Sequence, residues 1–379
     1  MSLGNRLYAE LRGDRVIWAI VAVMAIFSIL IVYSATGSLA YREQGGNTEY
    51  YLIKQVLVLG GGLVLTYLCY LMHYMKYNKM APYLLVLAVP LLMYTILNGE
   101  NINDARRWIE VPFIGITFQT SDFARLALII YVARELTKKQ DYIKDFKSAF
   151  LPIIVPVLII VGLIAPSDLS TALLLFTTCL TMLFVGRVDV RYIFLMLFLG
   201  VVVFTFLVAL GQFFPDYIRV ETWISRLQEY TTDSDSGFQV QQSKIAIARG
   251  GWLGVGPGNS MQRNILPAPY SDFIFAIIIE EYGTLGAIIV VLLYSLLFFR
   301  VTRLVTISPK AFGAMLAVGL SLNLIIQAFA NMAVSVNLVP VTGLTLPMIS
   351  HGGTSLLFAC ISLGIILSVS KYIEAIQTD

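Results

Sequence analysis

Ten apolar stretches, each long enough to cross the roughly 30 Å hydrocarbon core of a bilayer, constrain this chain more than any other feature. They fall at about 16–35, 52–72, 82–98, 119–136, 149–165, 170–186, 192–213, 273–299, 311–333 and 354–370. Backbone that enters lipid must satisfy its own N–H and C=O groups, so stretches of this length fold as helices. Charged residues make up only 13% of the 379, against about 25% in soluble proteins. The expectation is an all-α integral membrane protein of about ten transmembrane helices, a single polytopic domain over residues 1–379. The fifth and sixth spans are the shortest and are joined only by residues 165–169.

An even number of crossings puts both termini on one side, and Lys and Arg decide which side. With the N-terminus inside, the inner segments hold most of the 26 Lys and Arg residues, among them Arg12, Arg15, Lys79, Lys138, Lys139, Arg187, Arg300 and Arg303. A multi-pass protein of the cytoplasmic membrane with both termini cytoplasmic follows. The long loop 214–271, between the seventh and eighth spans, then lies outside the cytoplasm. No convincing cleavage site follows the first run, which reads as a retained helix rather than a signal peptide. The net charge of +3 gives no hint of nucleic acid. Cys69, Cys179 and Cys360 all lie in apolar runs and read as small core hydrophobes.

Charges inside the apolar runs locate the chemistry. Asp272 stands at the threshold of the eighth span, with Glu280 and Glu281 inside it. Each such carboxylate costs roughly 2.5–3.5 kcal/mol at mid-bilayer, so their presence points to function, with Asp272 the candidate catalytic group. The preceding bend at residues 254–258 has three glycines. No strand precedes it and no βαβ unit surrounds it, so it reads as a turn between re-entrant helical pieces, not a dinucleotide loop.

Four further clusters accompany Asp272. Arg106 and Arg107 beside Trp108 suit an anionic headgroup at the interface, or serve as a positive anchor. The same cluster continues to Asp122 and Arg125, which, three apart, share a helix face and can pair, either to fix packing or to act in the site. Asp168 opens the sixth span, as a helix N-cap or as a second carboxylate. The outer loop adds Arg226, and after it Gln239, Gln242 and Ser243 can hydrogen-bond sugar hydroxyls and Lys244 can meet a pyrophosphate, unless the segment is a solvated amphipathic helix. The fourth cluster, residues 338–355, is broken by proline and glycine and contains Ser350, His351, Gly352 and Gly353. Non-helical backbone at membrane depth implies a cavity or re-entrant loop. His351 reads there as a hydrogen-bonded interfacial group.

These motifs, in this order, resemble the SEDS family (shape, elongation, division and sporulation) of FtsW/RodA-like proteins. Gly256, Gly258, Leu266, Pro267, Asp272, Phe273, Ile274, Phe275, Ala276, Glu280, Glu281, Gly283 and Gly286 match its signature, while Ala268 replaces a usual Glu and Ser271 a usual Thr. Asp122 and Arg125 stand where the family places Glu and Lys. An additional Ser167 interrupts the pattern before Asp168. His351 replaces Tyr, and Thr354 replaces Ser. The wording of residues 343–347 leans toward FtsW.

The resemblance implies a peptidoglycan glycosyltransferase that polymerises lipid II at the outer face of the membrane and releases undecaprenyl pyrophosphate. In that reading Asp272 is the base, and Arg106 and Arg107 offset charge on the leaving group. Trp108, Asp168, Gln239, Gln242, Ser243, Lys244, Ser350, Gly352 and Gly353 bind substrate, with Asp122, Arg125, Glu280 and Glu281 in supporting roles. A divalent cation, Mg or Mn, would also serve, although no residue establishes one. The implied partners are a class B penicillin-binding protein and other divisome or elongasome membrane proteins. The alternative is a lipid II flippase, which buried charges and broken helices also suit. A scaffold for division or elongation would leave Asp272, Glu280 and Glu281 unexplained.

Overall fold

A computed structural model describes every residue except 1–11, 38, 40–46, 103–104, 112–115, 216, 232–236, 309 and 379. Its helices are α1 (Arg15–Ala35), α2 (Thr48–Leu71), α3 (Met75–Asn98), α4 (Thr120–Lys138), α5 (Leu151–Ile164) and α6 (Leu169–Val185). Then follow α7 (Val190–Gly211), α8 (Val220–Thr231), α9 (Phe238–Gly250), α10 (Ile274–Ile307), α11 (Ala311–Ser335) and α12 (Thr354–Thr378). Local chemistry starts several of them. Asp14 caps α1 by accepting from Val16 N at 2.9 Å, and Asp168 caps α6 by accepting from Thr171 N at 3.0 Å.

Among the described residues, eight helices are long and apolar enough to cross a membrane, α5 counting together with the π-helical turn Phe146–Phe150 that leads into it, against the ten expected. The two that fall short are instructive. α4 carries Asp122, Arg125, Arg134, Glu135 and Lys138, a charge load it tolerates because protein surrounds it and the charges are paired. Arg134 and Lys139 both hold Glu135, at 3.1 and 2.9 Å. α6 has 17 residues, slightly short of a typical span.

The chain also departs from pure helix. Between α3 and α4 lies a three-stranded antiparallel sheet of β1 (Glu100–Ile102), β2 (Ala105–Val111) and β3 (Ile116–Gln119), with Trp108 opposite Gln119. These residues sit beyond the helix ends, where strands can satisfy one another's backbone groups.

Small residues let the helices approach. A Cβ on Gly62 of α2 would lie 2.6 Å from Cys360 Sγ of α12, and Thr66 donates to the Cys360 carbonyl at 2.9 Å. Cys179 and Cys360 are buried and Cys69 is half-buried, all three as free thiols. Both described ends of the chain meet at one end of the bundle. There Arg300 pairs with Asp14 at 2.7 Å, and Asp14 N donates to Ser370 Oγ at 2.6 Å.

The glycine turn after α9 repairs a break in α10. At Gly283 the backbone has φ 67° and ψ −168°, a region open essentially to glycine alone. The break frees the carbonyls of Glu280 and Glu281, and Val255 N and Gly256 N donate to them at 2.9 and 3.0 Å. Thr284 N in turn donates to Gly251 O at 2.9 Å. The glycine bend is thus a turn laid against the break in α10.

Candidate active site

Glu280 anchors the loop that leads to Asp272. It is 0% exposed and accepts from Ser260 Oγ, from Met261 N at 3.1 Å, from Gln262 N at 3.2 Å and from Arg249 Nη1 at 3.3 Å. Glu281 accepts from Ser34 Oγ of α1. Glu280 therefore holds the loop in place and Glu281 ties α10 to α1, and neither lines the cavity that Asp272 faces.

Beyond that anchor, residues 270–272 are stitched to the broken segment after α11. His351 N donates to Tyr270 O at 2.9 Å, Ser350 Oγ to Ser271 O at 2.8 Å, and Asn331 Nδ2 to Asp272 O at 2.8 Å. Asn331 also donates to Leu344 O at 2.7 Å. Asp272 is thus positioned by its backbone, which leaves its carboxylate to face a cavity of about 470 Å³. One oxygen accepts from Ser271 Oγ at 2.8 Å.

Four arginines line the same cavity: Arg107, Arg125, Arg219 and Arg226. Arg107 Nη1 lies 3.1 Å from Asp168 Oδ2, and its Nε donates to Ser167 O at 2.8 Å. Asp168 is therefore both N-cap and ion-pair partner. Arg125 bridges Asp122 Oδ1 at 2.9 Å and Gln327 Oε1 at 2.7 Å, and Gln327 donates onward to Thr345 O at 2.9 Å. Burial holds the Asp272 carboxyl above the ordinary carboxylate range. The Ser271 hydrogen bond, Arg226 and Arg107 pull it down, while Asp168 pushes it up.

An apolar groove of about 520 Å³ adjoins the cavity and shares Arg107, Asp168, Arg219 and Arg226 with it. Its walls include Leu173, Phe204, Val208, Trp223 and Leu227, with Trp223 stacked on Phe204 at 5.7 Å between centroids. A polar, cationic chamber thus opens into a slot suited to hydrocarbon.

The structure sorts the expected site residues. Asp272, Arg107, Trp108, Asp168, Gly352 and Gly353 line the cavity, as do Asp122 and Arg125, which were expected only behind it. Arg106 lies on β2, with its side chain outside the described residues. Gln239, Gln242, Ser243 and Lys244 do not line the cavity. They lie on α9, which packs against α10, and Ser243 is buried, donating to Ser335 O at 2.7 Å. Ser350 is likewise absent from the lining and works between backbones, with Leu346 N donating to its hydroxyl at 2.8 Å. Arg219, Gln327 and Thr345 join the site without having been singled out for it, beside Arg226 of the long loop. The two arginines lie within residues 214–271, a long stretch that charge-sidedness weights lightly. α8 displays Arg226 toward the cavity and Trp223 toward the groove.

For a divalent cation the donor set does not fit: no group of three or more His, Cys, Asp or Glu among the described residues is placed to hold a metal ion. Asp168 is committed to Arg107 and to its capping bond.

Residues 14–375 match the family described as cell cycle protein, FtsW/RodA/SpoVE. The chain is 32% identical over 366 residues to stage V sporulation protein E of Bacillus subtilis, covering 95% of this chain and 97% of that one. It is 34% identical over 377 residues to a probable peptidoglycan glycosyltransferase FtsW of Alkalilimnicola ehrlichii, covering 95% and 90%. Among solved structures it resembles the rod shape determining protein RodA of Thermus thermophilus, with a TM-score of 0.68 at 23% identity over 94% of this chain and 96% of that one. A chain from a peptidoglycan synthase complex that coordinates polymerization and crosslinking gives a TM-score of 0.71 at 24% identity, over 95% and 98%. At those identities the two structures bear on fold alone. Sequence match and fold agree over nearly the whole length: the chain belongs to the FtsW/RodA/SpoVE, or SEDS, family.

Proposed function

We propose that the chain is a peptidoglycan glycosyltransferase that polymerises lipid II into glycan strands at the outer face of the cytoplasmic membrane. The observation that carries this reading is the pairing of chambers, with Asp272 and four arginines in the polar one and a hydrocarbon-lined groove beside it. A lipid-linked sugar pyrophosphate needs both.

In the reaction, the 4-hydroxyl of the acceptor GlcNAc attacks the donor's anomeric carbon. The bond from that carbon to the pyrophosphate oxygen breaks, and undecaprenyl pyrophosphate departs. Asp272 takes the hydroxyl proton, a task its raised pKa suits. Arg107, Arg219 and Arg226 surround the place where charge grows on the leaving group, and preformed cations there cost no reorganisation. The polyprenyl chain lies along Trp223, Phe204 and Leu173. No step is assigned to a metal.

The wider arrangement follows from the same reading. The 1–379 chain acts as one membrane domain, with α4 and α6 crossing alongside the eight apolar helices to make ten. Both termini are cytoplasmic and residues 214–271 lie outside. A class B penicillin-binding protein, within the division or elongation machinery, supplies the crosslinking step.

Polymerisation of lipid II by the purified chain with its partner, scored by glycan length, tests the assignment. Polymer from the parent and none from a folded Asp272→Asn variant is the expected result. Equal polymer from both would remove Asp272 as the base. No polymer from either, with lipid II crossing vesicles, would identify a flippase.

A further inference from the structure

The chain has two histidines, and His351 is the one that lines the cavity. Its protonation is dictated by a run of hydrogen bonds that begins at a group with no choice. The Ile349 carbonyl can only accept, and Ser28 Oγ donates its one proton there at 3.1 Å. Toward Gln55 the Ser28 oxygen can then only accept, and Gln55 Nε2 meets it at 2.9 Å. That turns the Gln55 amide oxygen toward His351, where it stands 2.6 Å from Nδ1. An amide oxygen has no proton to give, so Nδ1 carries the hydrogen and Nε2 carries a lone pair. Hydrogen positions of this kind follow from the network around them, and this network is anchored by a backbone carbonyl. Gln55 is 1% exposed and Ser28 0%, so water does not compete for these bonds.

The ring is held as well as protonated. His351 N donates to Tyr270 O at 2.9 Å, and the imidazole meets the Tyr270 ring edge-on at 5.9 Å. Nε2 has no hydrogen-bond partner among the described residues and is not an enclosed atom. Burial, with Lys54 nearby, pushes the imidazole pKa down to about 4, so the ring is neutral.

We propose that His351 Nε2 is a neutral hydrogen-bond acceptor for the glycan, taking a sugar hydroxyl or acetamido N–H bound beside Asp272. The proposal rests on the glycosyltransferase reading. The cavity's guanidinium groups are donors matched to pyrophosphate, and its carboxylates are acceptors that add negative charge. A neutral imidazole accepts from a sugar without repelling the pyrophosphate. The tyrosine usual at this place in the resemblance both donates and accepts, whereas His351, with Nδ1 tied to Gln55, only accepts.

The test combines ¹⁵N-histidine NMR of the full chain in nanodiscs with lipid II kinetics. His351→Phe identifies the His351 signals by their loss. The parent should show a protonated Nδ1 and a bare Nε2, and lipid II should shift the Nε2 signal. Gln55→Met should give a mixture of tautomers. His351→Phe keeps the ring's bulk without the acceptor and should raise KM for lipid II about three- to tenfold, the weight of one neutral hydrogen bond, with kcat within about twofold. Gln55→Met should raise KM less. A protonated Nε2 in the parent, an Nε2 signal indifferent to lipid II, or an unchanged KM in His351→Phe would each overturn the proposal. If the parent makes no polymer, the glycosyltransferase reading falls, and the Nε2 response to lipid II still decides whether His351 binds it.

Discussion

Truncating Glu280 should loosen the loop that carries Asp272, by an amount the structure allows to be worked out. In Glu280→Ala the amides of Met261 and Gln262, now at 3.1 and 3.2 Å from the carboxylate, lose their acceptor. The buried Gln262 amide left unsatisfied costs about 1–3 kcal/mol, while Met261 is exposed and its amide, open to water, is left out of the sum. Ser260 contributes less, because its hydroxyl can rotate to another acceptor. Arg249 is 38% exposed and can turn to solvent, so its ion pair is left out of the sum. Even the lower bound is a factor of about 5 in the local opening equilibrium. Hydrogen exchange read by mass spectrometry on a peptide spanning residues 260–265, in nanodiscs, measures that opening directly. Glu280→Ala should exchange there at least about 5-fold faster than the parent, and Glu280→Gln, which keeps one acceptor oxygen, should fall between. Exchange within twofold of the parent would show that the carboxylate does not hold this loop.

Other consequences are open to measurement. Because Arg226 draws the Asp272 pKa down, Arg226→Gln should move the acid limb of the polymerisation pH profile to higher pH, and a limb that stays put would contradict their coupling. Gly283→Ala should be strongly destabilised, since its φ is +67° and a Cβ would lie 2.2 Å from Trp252 O. Gly61→Ala, with nothing within 4 Å of its Cβ, should melt no lower than the parent. Trp223→Ala should raise KM for lipid II with kcat nearly unchanged, because the groove binds the lipid chain alike in ground and transition states.

Apolar stretches, the glycine turn and the placement of Asp272 were all legible along the chain, because each depends on neighbours within a few turns. A bilayer-length run dictates a helix through its own backbone, and a glycine-rich bend announces a conformation other residues avoid. The sheet was less legible, because a seven-residue strand such as β2 carries too weak a pattern to stand out between two long helices. The pairing of Asp122 with Arg125 was legible too, because residues three apart share a helix face, and the structure joins them at 2.9 Å.

What only the tertiary structure decided is which polar groups converge. Gln239 and Gln242 look like sugar ligands along the chain and Lys244 like a pyrophosphate ligand, yet α9 packs against α10 and none of the three lines the cavity. Arg107 reaches Ser167 and Asp168 across some 60 residues of sequence, and the His351 tautomer depends on Ser28 and Gln55 from two other helices. Local pattern determines where a helix begins and that a charge is costly. The partner that offsets the cost is chosen by packing, which brings side chains together regardless of their separation in the sequence.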